Sequence, residues 1–177
     1  MSKRDLKKYL TELSKEQLEE QLMELYEKFS PVKVYYDFVF NPKEDKLLQE
    51  SKVKISQEYF PVKKAGTKRY PKAKLRRSVA QKIIKHFIML GVDPFITADI
   101  MLYNIEIAQT HSSQNFVKLE LFYKSMLNSF EQAVNFIISN GILAEFKTRI
   151  EGINEIVLEQ KWRNKYDFEA ILDKLSL

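Results

Sequence analysis

The chain contains no cysteine and only two histidines, His86 and His111. The lack of cysteine excludes disulfide bonds and cysteine-ligated zinc or iron–sulfur centres. Two histidines are too few for a multi-histidine site, and Glu106, five residues before His111, would face about 140° away from it on a helix. We therefore expect no metal and no cofactor.

Glycine and proline are also scarce, with four and five residues in a chain of 177. Few residues that interrupt regular structure favour long helices, and this length suits one core, so we predict an all-α fold with a single helical domain over 1–177. No stretch approaches eighteen uninterrupted apolar residues, and Met1 to Asp5 lead directly into an amphipathic pattern without the apolar stretch of a signal peptide. We therefore expect a cytoplasmic protein without a membrane partner.

Two apolar helical patterns, at 75–90 and 94–110, organise the chain around a predicted helical hairpin. Gly91 ends the first pattern and Asp93-Pro94 start the second, which is the usual punctuation between two helices. The second pattern is so apolar that neighbouring helices must cover most of its circumference. We predict that it is the central element of the core.

The N-terminal region carries two helix-start signals, Ser2 with Asp5 and Ser14 with Gln17, and both have the spacing of a capping box. The next segment, 32–40, alternates like a strand but also fits one face of a helix. Because a proline follows a capping residue at Ser30-Pro31 and at Asn41-Pro42, we favour helices over 31–39 and 42–59.

Farther along, apolar spacing predicts a long helix over roughly 113–139 with Phe116 and Leu119 on its one broad apolar side, and a short final helix capped by Asp167 that includes Leu175. In total we expect about seven to eight helices. The turns at Gly91 and Gly141 lie about fifty residues apart, each between two helices, which raises the possibility of stacked hairpins. An irregular multi-helix bundle and a short α-α superhelix remain open alternatives.

Three stretches of sequence support a family resemblance: SKRDLKKYL at 2–10, YYDFVFNPK at 35–43 and LGVDPF at 90–95. With these stretches the chain resembles an uncharacterised bacterial family that carries only a domain-of-unknown-function label, and the resemblance covers nearly the whole chain. It implies a small, helical bacterial protein. It supplies no activity and no catalytic residues.

The charge distribution is the main indication of function. Ten basic residues and no acidic ones lie between Val62 and Val92, which leaves 19 basic against 24 acidic residues, or −5, in the rest of a chain whose net charge is +5. Residues 61–74 of this basic zone read as an exposed loop that continues into the next helix. Those that we predict to contact an anionic partner are Lys63, Lys64, Lys68, Arg69, Tyr70, Lys72, Lys74, Arg76, Arg77 and Lys82.

In a nucleic-acid complex, the cations of this zone would contact phosphates and Tyr70 would stack on an unpaired base, without specifying sequence. An acidic protein surface is the next candidate partner. The alternative is a solvated surface, or one that pairs with the chain's own acidic residues between Glu16 and Glu27. The sequence carries no signal for the oligomeric state.

The best polar constellation outside the basic zone is Asp99, Tyr103 and Glu106, which lie on one side of the apolar helix because Asp99 and Glu106 are seven residues apart. As a polar pocket it would raise a carboxylate pKa toward values useful in acid–base chemistry. As a structural feature it would be exposed or paired with Lys or Arg from a neighbouring helix. We find no catalytic signature, so we expect no enzymatic activity.

The leading hypothesis is a non-enzymatic helical binding module that uses its basic surface, 63–85, on an anionic partner. The alternative is a helical scaffold for protein–protein interactions, in which Tyr35, Tyr36 and Phe38 line an exposed groove and the basic surface is incidental.

Overall fold

The structure is a computed structural model that describes residues 2–63, 65–66, 68–69 and 71–174. Within these ranges every regular element is an α-helix, so the all-α prediction is confirmed and the segment 32–40 is helical. The described residues form α1 (Lys3–Thr11), α2 (Lys15–Lys28), α3 (Ser30–Phe40), α4 (Glu44–Tyr59), α5 (Arg77–Leu90), α6 (Pro94–Gln114), α7 (Glu120–Ser139), α8 (Leu143–Glu159) and α9 (Lys165–Asp173).

The expected number of helices, seven to eight, is wrong, because nine helices form in the part of the chain described. The short N-terminal helices stay separate since each has its own boundary. Both predicted capping boxes form, around Ser2 and Ser14, and they start α1 and α2 independently. Phe29, with an extended backbone (φ −118°, ψ 104°), then separates α2 from α3.

Several helix boundaries differ from the prediction: α3 spans Ser30–Phe40 and not 31–39, and α4 begins at Glu44 and not at 42. Helix α5 begins at Arg77 rather than near Leu75, because Leu75 has a positive φ of 54° that a right-handed helix cannot contain. Helix α6 continues through Gln114, so α7 begins only at Glu120. Phe116 and Leu119 lie between these two helices and are 81% and 60% exposed, so the prediction that they share the apolar side of one long helix is wrong.

The chain divides into two compact units, Met1–Lys43 and Glu44–Leu177. The single domain remains a prediction. In the first unit, which holds α1, α2 and α3, none of the three helices has a buried residue. The Tyr26 hydroxyl donates to Asp37 Oδ1 at 2.8 Å and joins α2 to α3.

The second unit is a bundle built around α6, as the hairpin prediction anticipated. Helix α6 packs against α4, α5, α7 and α8. Gly91, at φ 69°, ends α5, and Asp93 caps α6 by accepting the Phe95 N–H at 2.7 Å. The fully buried apolar residues of α6 are Ala98, Ile100, Met101, Leu102, Ile105 and Ala108.

The C-terminal helix α9 closes this bundle through aromatic contacts with α7. The rings of Phe130 and Phe168 lie 4.9 Å apart, and both are fully buried. The helix begins at Lys165, so Asp167 lies in its first turn and is not its cap. Leu175, which the sequence assigned to this helix, lies outside the described residues. None of the helices described is both long and apolar enough to cross a bilayer.

Candidate functional site

A basic pocket of about 520 Å³ lies between the C-terminal end of α4 and the segment that follows it. Four of its lining residues are cations from the basic zone: Lys63, Arg69, Lys72 and Lys74. The other described residues that line it are Gln57, Glu58, Pro61, Val62 and Pro71. The fold therefore brings together four side chains that the sequence spreads over twelve positions.

Glu58, at the end of α4, anchors this segment in two ways. Its backbone carbonyl accepts the N–H groups of Lys74 at 2.9 Å and Leu75 at 3.2 Å. Its carboxylate accepts two bonds from Arg76, from Nε at 2.8 Å and Nη2 at 2.7 Å. This two-bond pairing is the strong, geometrically specific form of an ion pair. Hydrogen bonds from Arg76 lower the pKa of Glu58, so its negative charge persists and is neutralised locally.

The other predicted contact residues that the structure describes do not line the pocket. Lys68 and Lys82 are exposed and do not line the pocket. Arg77, predicted to face solvent, is half-buried, and its Nε donates to Ser129 Oγ of α7 at 3.1 Å. Lys64 and Tyr70 lie outside the described residues. The fold thus brings four of the predicted residues together at the pocket. Arg76 and Arg77 instead bind side chains of α4 and α7.

Among the described lining residues the one carboxylate is that of Glu58, which Arg76 binds and which also interacts electrostatically with Lys74. Leaving Lys63 aside, Arg76 is the only cation among the described residues of the zone with a carboxylate within ion-pair distance. Arg69, Lys72 and Lys74 are exposed and carry their charges into solvent at the pocket. Sequence reasoning missed Glu58, whose one available signal was its position as the last acid before the basic zone.

The predicted polar constellation on α6 is filled by cations from two other helices. Arg149 of α8 donates from Nη1 to Asp99 Oδ1 at 2.6 Å, and from Nε and Nη2 to the Glu106 carboxylate at 2.6 and 2.7 Å. Lys52 of α4 lies 2.6 Å from Asp99 Oδ2, with its Nζ 5.2 Å from the centre of the Tyr103 ring. The cluster joins α4, α6 and α8.

Electrostatic interactions in this cluster favour the charged forms of Asp99 and Arg149. Burial alone would raise the pKa of Asp99, but hydrogen bonds from Lys52 and Arg149 outweigh it and lower that pKa. The two cations balance the two carboxylates, and all four side chains are at least two-thirds buried. Such an arrangement holds helices together and keeps the Asp99 carboxylate ionised near neutral pH.

His111 is another titratable group that is buried within the bundle. Its ring lies 6.0 Å from that of Tyr59 and 5.7 Å from that of Phe60, and burial lowers its pKa. His86 lies on α5 and is half-buried. Over the described ranges, no three His, Asp or Glu side chains converge in a way that could hold a metal ion.

Comparison with known proteins gives one match. The model of a family described as a family of unknown function (DUF6155) matches residues 1–176, which confirms the resemblance to an uncharacterised family. No curated protein and no solved structure matches the chain.

Proposed function

We propose that this chain, which belongs to the family of unknown function DUF6155, is a non-enzymatic helical binding module whose basic pocket takes an anionic partner. Nucleic acid is the leading candidate, an acidic protein surface is the next, and the cytoplasm is the compartment in which the protein would meet either. One observation carries the proposal: Lys63, Arg69, Lys72 and Lys74 line one pocket, and its acidic member, Glu58, is already bound by Arg76.

The chemistry of the lining suits phosphate groups. Arg69 offers a planar fork that can bind two oxygens of a phosphate, and the lysines add point charges around it. A volume of about 520 Å³ falls within the range of roughly 300–1,000 Å³ that is usual for small-molecule sites. The pocket therefore has room for one phosphate and the sugar or base attached to it. A longer strand would continue over the exposed surface near Lys68.

The pocket offers charge rather than a pattern of donors and acceptors that could read base edges. Contacts of this kind set affinity and position, and they do not select a sequence. Stacking on Tyr70 stays a prediction, because that residue lies outside the described part of the chain. We therefore expect binding that tolerates many sequences and weakens steeply with salt.

The test is a salt titration of the full chain with labelled single-stranded and double-stranded oligonucleotides of mixed sequence. With about four phosphates neutralised, log affinity should fall against log salt with a slope of about −3.6 for duplex and about −2.8 for a single strand. Polyglutamate serves as the acidic-protein probe. Competition by polyglutamate at equal charge concentration would favour an acidic protein partner, and no oligonucleotide binding at roughly 50 mM salt would exclude nucleic acid.

The helical scaffold remains a second candidate because α3 exposes aromatic side chains. Phe40 is 82% exposed and Tyr35 is 41% exposed, whereas Tyr36 and Phe38 are half-buried. A scaffold would bind its partner mainly through apolar area, so its affinity would change little with salt and would survive replacement of Lys72 and Lys74. The salt titration therefore distinguishes the two functions.

A further inference from the structure

The first two helices carry opposite charges. Helix α1 (Lys3–Thr11) has four basic residues and one acidic residue, whereas α2 (Lys15–Lys28) has five acidic and two basic residues. Among described residues 2–43, the ion pairs are Lys15 with Glu19 and Lys28 with Glu24, and both lie within α2. The basic residues of α1, and three of the five acidic residues of α2, therefore form no ion pair among the described residues of this unit.

The basic face of α1 consists of Lys3, Leu6, Lys7 and Leu10. These residues are spaced i, i+3, i+4 and i+7, so they share one side of the helix. Leu6 and Leu10 are 41% and 38% exposed. The face thus presents two leucines and two lysines to solvent in a stripe about two turns long.

An acidic groove of about 610 Å³ lies between α1 and α2. The bond from Gln21 Nε2 to the Tyr9 hydroxyl, at 2.7 Å, holds the two helices side by side along it. Tyr9 of α1 lines the groove. The basic face of α1 therefore lies on a neighbouring side of the same helix, outside the groove. The lining residues are Tyr9, Leu13, Gln17, Glu20, Gln21, Met23, Glu24 and Glu27.

We propose that the acidic groove is occupied by the basic face of α1 from a second copy of the chain. Lys3 and Lys7 are one helical turn apart, and Glu20 and Glu24 of the groove have the same spacing, with Glu27 one turn farther along. Glu24 is paired with Lys28 of its own helix, and the second copy would share this carboxylate. Leu6 and Leu10 of the second copy would meet the apolar part of the groove, where Met23 is 55% exposed.

The association is reciprocal, because each chain carries both the basic face and the acidic groove. Such a self-complementary surface closes as a twofold dimer, in which each copy inserts its α1 into its partner's groove. Dimerisation would also bury apolar side chains of this unit further, since none of the residues of α1, α2 and α3 is fully buried. The second copy is favoured over an unrelated protein because the matching basic helix is present in this sequence.

The test measures the oligomeric state of the full chain by sedimentation equilibrium. We expect a dimer whose dissociation constant rises with salt, and at least about a tenfold rise for the charge-reversal variant K3E/K7E or for E20K/E27K. The capping pairs at Ser2 and Ser14 stay intact in both variants, and circular dichroism verifies their helix content. The control K54E/K124E makes the same charge change as K3E/K7E on exposed residues of the second unit, and it should leave dimerisation unchanged.

The decisive measurement mixes the two charge-reversal variants. Each repels itself, but the acidic α1 of K3E/K7E matches the basic groove of E20K/E27K, and the reverse pairing has its native charges. A mixture should therefore form heterodimers about as tight as the wild-type dimer. A wild-type chain that is monomeric at about 100 μM, or a mixture that stays monomeric, would overturn the proposal. Neither result bears on nucleic-acid binding by the basic pocket, which is measured separately.

Discussion

Arg149 binds Glu106 through two parallel bonds, from Nε at 2.6 Å and from Nη2 at 2.7 Å. Its remaining nitrogen, Nη1, lies 2.6 Å from Asp99. One guanidinium of α8 thus spans two turns of α6, which explains why this central helix of the bundle tolerates two carboxylates. Asp99 and Glu106, which the sequence favoured as a polar pocket, thus join α6 to α8.

Replacing Arg149 with methionine should destabilise the fold by about 2 kcal/mol, between the value for an exposed ion pair and that for a fully buried one. Methionine keeps the packing of the aliphatic stem but leaves Glu106 without its partner. Urea denaturation measures the change. Arg163→Met, at an exposed position, is the control and should stay within about 0.5 kcal/mol of wild type. Equal stability of the two variants would show that the cluster contributes nothing.

Stability should fall as the pH drops below about 6.5 because His111 is buried and its pKa is lowered in the folded state. The unfolded chain binds the proton first, so the loss begins at the unfolded pKa and ends once the pH has passed the folded one. Urea denaturation at pH 7.5 and 5.5 should show the decrease in wild type and in His86→Gln. In His111→Leu the decrease should disappear, and its persistence would assign it to another group.

Two glycine substitutions should change stability in opposite directions. Gly152 lies within α8 and an added Cβ would meet nothing within 4 Å, so Gly152→Ala should stabilise the fold by about 0.5–1 kcal/mol. Gly91 has the same open surroundings but a φ of 69°, so Gly91→Ala should destabilise it by about 1 kcal/mol. Thermal unfolding measures both, and the same sign for both would contradict the helix-end geometry.

Replacing both Lys72 and Lys74 with alanine should weaken oligonucleotide binding and reduce the salt slope by about 2, one unit for each phosphate that a lysine no longer neutralises. Both side chains line the basic pocket and are exposed, so stability should be nearly unchanged. Lys54 and Lys124, exposed outside the pocket, provide the matched double-alanine control. If control and variant bind oligonucleotide equally weakly, binding depends on net charge and the pocket is not a site.

Local signals predicted most of the fold. The capping boxes at Ser2 and Ser14 and the glycine at position 91 act within four residues, so the neighbouring sequence contains their whole cause. The proline after Ser30 likewise favoured the helix that α3 forms, although the helix begins at Ser30 and not after it. Where neighbours along the chain decide the outcome, the sequence was sufficient.

Contacts between distant parts of the chain were not predictable in this way. Arg77 was predicted to face solvent from its position on α5. Its side chain instead donates a hydrogen bond to Ser129 of α7, which is fifty-two residues away along the chain. Phe116 was predicted to lie on the apolar side of a long helix. Because α6 continues to Gln114 and the chain is extended after it, Phe116 lies between two helices and is exposed. For the basic pocket, the sequence identified the cations but not Glu58, whose role depends on where Arg76 returns to α4.

The backbone of Glu58 meets that of Lys74 and Leu75, so residues 59–73 start and finish at the same point of the bundle. Closing a loop has an entropic cost, and for residues 59–73 this cost is part of the free energy of folding, not of binding. An anion that settles among Lys63, Arg69, Lys72 and Lys74 therefore does not have to draw two loose ends together. A protease cut inside 59–73 should therefore leave the two fragments associated, because Glu58 of one fragment still binds Lys74, Leu75 and Arg76 of the other. The cleaved protein should separate into its fragments only when it is denatured.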